Sequence, residues 1–592
     1  MMGNVRVGNG YTRSGYRWHT AAALAVFVAL LVWVLAATEQ SAFSGSFRFE
    51  VTAARELLPE PVDGRLIVAL THLSQREPRA QIGRVGANGT PIFAVDVDRF
   101  GPTSIAIIDD AATGFPVDVL SSLSGGDYQA QAVLDVSRDL KLPDAPGNLF
   151  SDARAISFDP TRDAVVRLTL DQRVPDEQLP LHTDYVRFVS IRSQLLSVFH
   201  GRPIYLRAGV ILPRGFSAEP ERRYPVRVSI GGYGSRYTRA QRLMRLGSDV
   251  RTAWLDDDTP RMIAIHLDGA GPYGDPYQVN SANNGPYGDA ITQELIPYIE
   301  NRFRGIGDSS ARVVDGSSTG GWVSLALQIF YPDFFNGAWS FCPDGVDFRQ
   351  LQLVNIYDDN NAFIDAKGDE RPSARDVDGA VRFTIRHEVQ MENVLGRGSS
   401  WTRSGQQWGA WNAVYGPRGA NGAPKALWDP VTGVIDHDIA RHWEQYDLRL
   451  VLARNWATLA PKLRGKINIW IGEADTYYLD YAVHLLDNFF ENTDPSFDAR
   501  IVFGPGKGHC WVGLSEMELM REMGERTHTP LVDAPRALQK FRPAARSTSG
   551  QTSFATVPAD RQVATARPSV TSRATSVGSA PTRLAPAVSS MP

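Results

Sequence analysis

Apolar residues fall into three successive regimes along this chain. Between residues 46 and 189, short apolar stretches such as Phe47-Arg48-Phe49-Glu50-Val51, Leu66-Ile67-Val68-Ala69-Leu70 and Val165-Val166-Arg167-Leu168-Thr169-Leu170 are broken by Gly, Pro and Asp. Strands at that spacing, with little helical periodicity, predict an all-β, sandwich-like domain over 46–189. Over 190–542 the character changes. Runs at 210–212, 226–230, 262–267, 313–314, 337–341, 467–471 and 500–503 read as strands. Residues 290–303 repeat apolar positions at helical spacing (Ile291, Leu295, Ile296, Ile299, Phe303), and 322–330 reads as a second helix. Such alternation predicts an α/β domain with a mostly parallel sheet covered on both faces. The last segment, 543–592, is rich in Ser, Thr, Pro, Ala and Arg and nearly free of aromatics. It buries too little apolar surface to offset its ordering entropy and is expected to be disordered.

Residues 343–463 interrupt the α/β rhythm, with no strand-helix pattern before a helical stretch near 442–459. An insertion of this length after a core strand is expected to form a lid. It carries Trp401, Trp408, Trp411, Trp428, Trp443 and Trp456. These tryptophans either line a pocket for a bulky substrate or make the insertion's own core.

The N-terminus carries an address. Arg6, Arg13 and Arg17 precede an unbroken apolar run over 21–37, and Glu39 is the first acidic residue. Residues 1–45 therefore read as an export signal or an N-terminal membrane anchor. The run spans about 25 Å as a helix, short of a hydrocarbon core of about 30 Å. Both a cleaved signal and a membrane tether through 21–37 are open. In either case the catalytic part is expected outside the cytoplasm, as a periplasmic, secreted or membrane-anchored protein.

Composition narrows the function. The chain is 43% apolar and 21% charged, that of an ordinary globular protein. Its net charge of -4 argues against a nucleic-acid partner. The two cysteines, Cys342 and Cys510, do not make a disulfide scaffold, and the sequence leaves open whether they pair. His437 and His442 are five apart, off same-face helical spacing, and the acidic runs 256–258 and 358–359 read as solvated loops. No metal site is predicted. No phosphate-binding glycine loop followed by Lys-Ser or Lys-Thr is present.

The chemistry sits in Asp315-Gly316-Ser317-Ser318-Thr319-Gly320-Gly321-Trp322. A Gly-x-Ser-x-Gly run between a strand and a helix is the setting of a nucleophile elbow, where the serine occupies a tight turn flanked by small residues. A serine hydroxyl needs a base and a group to orient that base. His509 lies on a glycine-rich loop just past the last core strand. Asp475 follows the strand before it. Serine, acid and histidine thus occur in the chain order this fold type requires. Glu473, Asp480 and Asp344 remain alternative acids. The backbone N–H of Thr319 is one expected oxyanion donor. Tyr233, in Gly231-Gly232-Tyr233-Gly234 directly after strand 226–230, is the second.

Several of these motifs together resemble the putative-esterase family of α/β-hydrolases, which includes esterase D, enterochelin esterases, feruloyl esterases and mycolyl-transferring antigens. They are Tyr224-Pro225-Val226 leading into Gly231-Gly232-Tyr233-Gly234; Tyr287-Gly288-Asp289-Ala290 with Glu294-Leu295-Ile296-Pro297-Tyr298-Ile299-Glu300; Gly316-Ser317-Ser318-Thr319-Gly320-Gly321; and Gly508-His509-Cys510-Trp511. The resemblance covers about 202–512 outside the insertion. It implies an α/β-hydrolase fold, a Ser318–Asp475–His509 triad, oxyanion donors at Tyr233 and Thr319, and no cofactor. A sandwich domain ahead of the hydrolase is similar to enterochelin-esterase-like proteins. Two positions depart from the family. Gly231-Gly232 stands where His-Gly is usual, and Ser317 where a larger residue precedes the nucleophile.

The expectation is an exported serine esterase that cleaves small-molecule or polymer-linked carboxylic esters through an acyl-enzyme. An acyltransferase, a serine peptidase and a non-catalytic surface-binding protein of the same fold are the alternatives. The ester itself and the oligomeric state are not legible.

Overall fold

Strands that are apolar at every position, without alternation, belong in a sheet buried on both faces. Val226–Ile230, Ile263–Leu267 and Ala338–Phe341 are mostly apolar, with Arg227, Ser229, His266 and Ser340 the polar members, and each is buried throughout. The computed structural model, which describes residues 47–527 apart from 73–75, 87–88 and 495, places them in one eight-stranded sheet. Its strands are β1 (Val186–Ser193), β2 (Ile204–Ile211), β3 (Val226–Ile230), β4 (Ile263–Leu267), β5 (Arg312–Ser317), β6 (Ala338–Phe341), β7 (Ile467–Gly472) and β8 (Arg500–Gly504). The spatial order is β1-β2-β4-β3-β5-β6-β7-β8. The first two pairings are antiparallel. From β4 to β8 every pairing is parallel. The expected boundary between 189 and 190 falls inside β1, which pairs along its whole length with β2.

Register brings the chemistry to one edge. Ser317 is opposite Phe341, Phe341 opposite Trp470, and Gly472 opposite Gly504. The loops after β5, β6, β7 and β8 therefore leave the sheet side by side at its carboxyl end, where open α/β sheets bind ligands. One face packs the helix Thr319–Phe330 with Val314, Val226 and Ile265. The other packs the helix Glu516–Thr527 with Val313, Ala264 and Trp339.

The N-terminal segment forms two sheets. Val62–His72 lies between Ile92–Phe100 and Gly126–Asp135, antiparallel to both. Arg48–Ala53 pairs with Val165–Leu170 and Ala106–Ile108. Leu66, Val68 and Leu70 join Phe49, Val51 and Leu168 in one core. Ile67 and Ala69 point the other way and meet Met391, Val394 and Leu395 of the insertion. This explains the unbroken apolar run: successive side chains serve two different cores.

The insertion is helical much earlier than the sequence predicted. A short hairpin (Pro372–Arg375 with Val381–Thr384) leads into helices Ile385–Leu395 and Gln407–Tyr415, then His437–Trp443, Leu448–Arg454 and Trp456–Leu463. The helical period of Ile385–Leu395 is hidden because a buried glutamate, Glu392, sits on its inner face. Glu392 accepts hydrogen bonds from Ser404 Oγ (2.7 Å), Trp408 N (3.0 Å) and Gly409 N (2.9 Å), and so serves the first turn of the next helix. Among the described residues no helix is long and apolar enough to cross a membrane. The apolar run 21–37 and the tail 543–592 lie outside the described residues, as does 528–542.

A buried charge network ties β3 to the nucleophile strand. The Arg227 guanidinium donates to both oxygens of Asp315 (2.9 and 2.8 Å) and also reaches Glu516. Breaking such a pair by removing one partner strands the other charge. Arg227→Met is expected to cost about 3–5 kcal/mol of stability, read as a fall in the urea or thermal midpoint of the folded protein.

Candidate active site

The chain leaves β5 through a turn that few sequences can make. Ser318 has φ 58° and ψ -123°, a left-handed conformation unfavourable for a side-chain-bearing residue. Three glycines make room for it. A Cβ on Gly316 would lie 2.2 Å from the Gly320 carbonyl oxygen. One on Gly320 would lie 2.3 Å from that of Ile230, and one on Gly321 2.5 Å from that of Phe341. The helix Thr319–Phe330 is thus seated directly on the ends of β3 and β6. Ser318 N donates to Phe341 O (2.9 Å), and Trp322 N to Ser318 O (3.1 Å).

The turn presents Ser318 Oγ to His509 Nε2 at 3.1 Å, and His509 Nδ1 lies 2.7 Å from Asp475 Oδ2. Asp475 is fully buried. Its Oδ1 accepts from the backbone N–H of Tyr477 (2.9 Å) and Leu479 (3.4 Å), which fixes the carboxylate on the loop after β7. The Tyr477 ring stands edge-on to the imidazole at 5.0 Å between centroids. Burial depresses His509, but the bond and charge of Asp475 together with Cys510 outweigh it and push the imidazole up to about 10.

Two of the three alternative acids are engaged elsewhere. Asp480 pairs with Arg375 (3.1 Å). Asp344 Oδ2 accepts from Tyr277 OH (2.7 Å), Thr319 Oγ1 (3.0 Å), Gln407 Nε2 (3.1 Å) and Trp411 Nε1 (3.3 Å), and burial raises its pKa. Asp344 therefore joins the insertion to the first residue of the nucleophile helix. Tyr277, Gln407 and Trp411 carry no motif, and spacing along the chain offered no signal for their meeting at Asp344.

Thr319 and the loop that carries Tyr233 both adjoin the serine. Thr319 opens the helix, so its N–H has no intrahelical acceptor. The Gly231–Gly234 loop approaches so closely that a Cβ on Gly232 would lie 3.6 Å from Ser318 Cβ. Asp275 accepts from Gly234 N (3.1 Å) and Tyr233 OH donates to Gly405 O (2.9 Å), which holds the loop between the sheet edge and the insertion. Burial raises the Asp275 carboxyl to about 7.

Asp344, Glu388, Gln407, Trp408, Trp411 and Tyr477 line a small cleft beside the serine. Trp401, Trp408, Trp411, Trp428 and Trp443 are all at most 2% exposed. Trp401 stacks on Trp428 at 4.9 Å, and Trp408 meets Trp411 edge-on at 4.8 Å. The tryptophans thus make the insertion's core, and two of them also face the cleft. Trp456 packs apart, on Phe489 and Phe497. A larger cavity of about 660 Å³ runs along Arg192, Gln194, Val198 and Arg202. It includes none of the residues gathered at Ser318, and size alone does not make it the site.

A family model described as putative esterase matches residues 205–501. The chain belongs to that family. The match opens in β2 and closes in β8, so it contains Ser318 and Asp475 and stops short of His509. Solved structures similar to this esterase-family chain include FphF, a fluorophosphonate-binding serine hydrolase of Staphylococcus aureus (14% identity, 58% of this chain and 100% of that one, TM-score 0.33). An S-formylglutathione hydrolase from Agrobacterium tumefaciens is 13% identical over 59% of this chain and 98% of that one, TM-score 0.32. A CE1 ferulic acid esterase from Anaeromyces mucronatus is 11% identical over 59% and 93%, TM-score 0.30. No curated protein matches the chain. Family membership rests on the sequence match.

The glycine contacts at the elbow can be tested directly. Gly320→Ala forces its methyl against the Ile230 carbonyl. It is expected to cost about 1–3 kcal/mol of stability and about 100-fold in turnover through a displaced serine, measured by thermal melts and ester kinetics side by side.

Proposed function

We propose that this protein is an exported serine esterase that hydrolyses carboxylic esters through an acyl-enzyme. The observation that carries the reading is the continuous relay from Ser318 Oγ to His509 to buried Asp475, at 3.1 and 2.7 Å, at the carboxyl edge of the sheet. In this reading Ser318 Oγ attacks the ester carbonyl while His509 Nε2 takes its proton. Asp475 holds the imidazole in the tautomer with the proton on Nδ1 and stabilises the imidazolium. The N–H groups of Thr319 and Tyr233 receive the developing oxyanion. His509 then protonates the departing alcohol, and the same base activates the water that releases the acid. Export rests on the basic flank and apolar run at the N-terminus.

Ser318→Ala is expected to lose about 10⁴–10⁶-fold in kcat on a short p-nitrophenyl ester, and a fluorophosphonate probe should label wild type alone. Unchanged turnover in the variant would falsify the reading. The base must be neutral to accept the serine proton. With Cys342 and Cys510 as free thiols, the rise of kcat/KM with pH is therefore expected to have its midpoint above the ordinary imidazole value of about 6.5, a profile read between pH 5 and 10.

A further inference from the structure

The chain has two cysteines, and the fold brings both to the catalytic histidine. Cys342 follows β6 directly. Its N–H donates to Trp470 O (2.7 Å), and the residue before it, Phe341, supplies the carbonyl that holds Ser318 N. Cys510 follows His509. The two sulfurs lie 2.8 Å apart although 168 positions separate them in sequence. Both residues have left-handed backbones, φ 41° and 62°. Two sharp, unfavourable turns therefore aim the side chains at each other. Cys342 is buried and Cys510 is exposed, so the pair is approachable from one side.

We propose that Cys342 and Cys510 form a disulfide in the functional protein, and that this bond is a positioning element of the catalytic histidine. The inference about catalysis rests on the esterase reading above; the bond itself does not. The chemistry needs an oxidant, which we take to be a disulfide: a small-molecule disulfide or a thiol–disulfide oxidoreductase of the compartment to which the protein is exported. The Cys510 thiolate attacks one sulfur of the oxidant and displaces its first thiol. Cys342 then attacks Cys510 in the mixed disulfide and displaces the second. One protein disulfide forms, two thiols leave, and the two hydrogens of the cysteines end on them. Cys510 is fitted to begin. It is the exposed member, and its thiol is held down at about 6, first by the hydrogen bond from Cys342 and further by His509.

The bond has two consequences for His509. It ties the loop after β8 to the strand end that anchors Ser318, and so limits motion between base and nucleophile. It also removes the thiolate beside the imidazole. The groups facing His509 are Asp475, Cys510, Asp344 and the Tyr477 ring, with Cys342 behind Cys510. Asp475 and Cys510 both raise it. Converting Cys510 to a neutral disulfide leaves the rise to Asp475, so the imidazole is neutral, and able to act as base, at lower pH.

The test uses the full-length protein equilibrated with oxidised or with reduced glutathione. Peptide mapping after alkylation without reduction should recover a Cys342–Cys510 linked peptide in the oxidised sample alone, lighter by two hydrogens than the separate peptides. The oxidised form should show kcat at pH 7 at least about tenfold above the reduced form with KM within about twofold, and an acid limb about one pH unit lower or more. Cys342→Ser, which lacks the thiol that resolves the mixed disulfide, should carry one glutathionyl group on Cys510 after oxidation and give no linked peptide. Recovery of both cysteines as free alkylated thiols after oxidation overturns the bond. A linked peptide with identical kcat and pH profile in both forms overturns the positioning role. The mapping is independent of activity, so loss of the esterase reading, seen as full turnover in Ser318→Ala, is distinguishable from loss of the bond.

Discussion

Everything at this site depends on a backbone turn that is locally unfavourable. Ser318 takes φ 58° with its N–H bonded to Phe341 O and its carbonyl accepting from Trp322 N. It is held because the strand before it and the helix after it are both fixed. β5 is paired on both sides, and the helix Thr319–Phe330 is buried along almost its whole length. Gly316, Gly320 and Gly321 let backbone touch backbone at the crossing, with distances that leave no room for a Cβ. The cost of the turn, of order 1–3 kcal/mol, is small beside the burial of that helix. In return the hydroxyl stands clear of the sheet edge, where loops from three other strands can reach it.

The elbow was legible in the sequence because its physics is local. Small residues must stand two before and two after the serine, and a strand and a helix must flank it. Asp475 and His509 were legible for the same reason: each follows an apolar run that ends in glycine. The insertion was not legible, because its order comes from distant partners. Glu392 would count against an amphipathic helix in any sequence window. Its bonds to Ser404, Trp408 and Gly409 turn it into an internal fastener. In the sequence Asp344 stands only as a spare acid, since nothing in its neighbourhood announces Tyr277, Gln407 and Trp411. The end of the N-terminal β region was misplaced because strand follows strand there. β1 differs from the strands before it by its partner, which the pattern of apolar residues does not name.

The N-terminal sheets act on the site through the insertion. Arg65 is 2% exposed and directly precedes the apolar run 66–70 of the strand Val62–His72. It pairs with Asp96 (3.1 Å) and donates to the carbonyls of Val394 (2.9 Å) and Asn393 (3.4 Å), at the carboxyl end of the helix Ile385–Leu395. A cation there satisfies carbonyls that have no intrahelical donor and complements the helix dipole. The same helix carries Glu392, whose bonds set the start of Gln407–Tyr415, and that helix brings Gln407 and Trp411 to Asp344. A chain of polar contacts thus runs from the N-terminal sheet to the residue after the nucleophile.

Three buried acids around the site share one device. Asp275, Asp475 and Glu392 each accept backbone N–H groups: from Gly234 and Tyr277, from Tyr477 and Leu479, and from Trp408 and Gly409. Among the described residues none of the three, nor Asp344, has a Lys or Arg partner in an ion pair. Burial alone would make such carboxylates costly, and it raises Asp275, Asp344 and Glu392. Each bond they accept offsets part of that cost only while the loop keeps its shape. A loop that moves leaves its carboxylate unsatisfied, so the penalty for burying charge becomes a restoring force on the loop. The rim around Ser318 is held in this way on three sides. The remaining side is the His509 loop. Its glycines supply no such acid; it is held to the loop after β7 by Asp475 on His509 and by Ala474 N on Lys507 O (2.9 Å), and the pair Cys342 and Cys510 faces it from the end of β6.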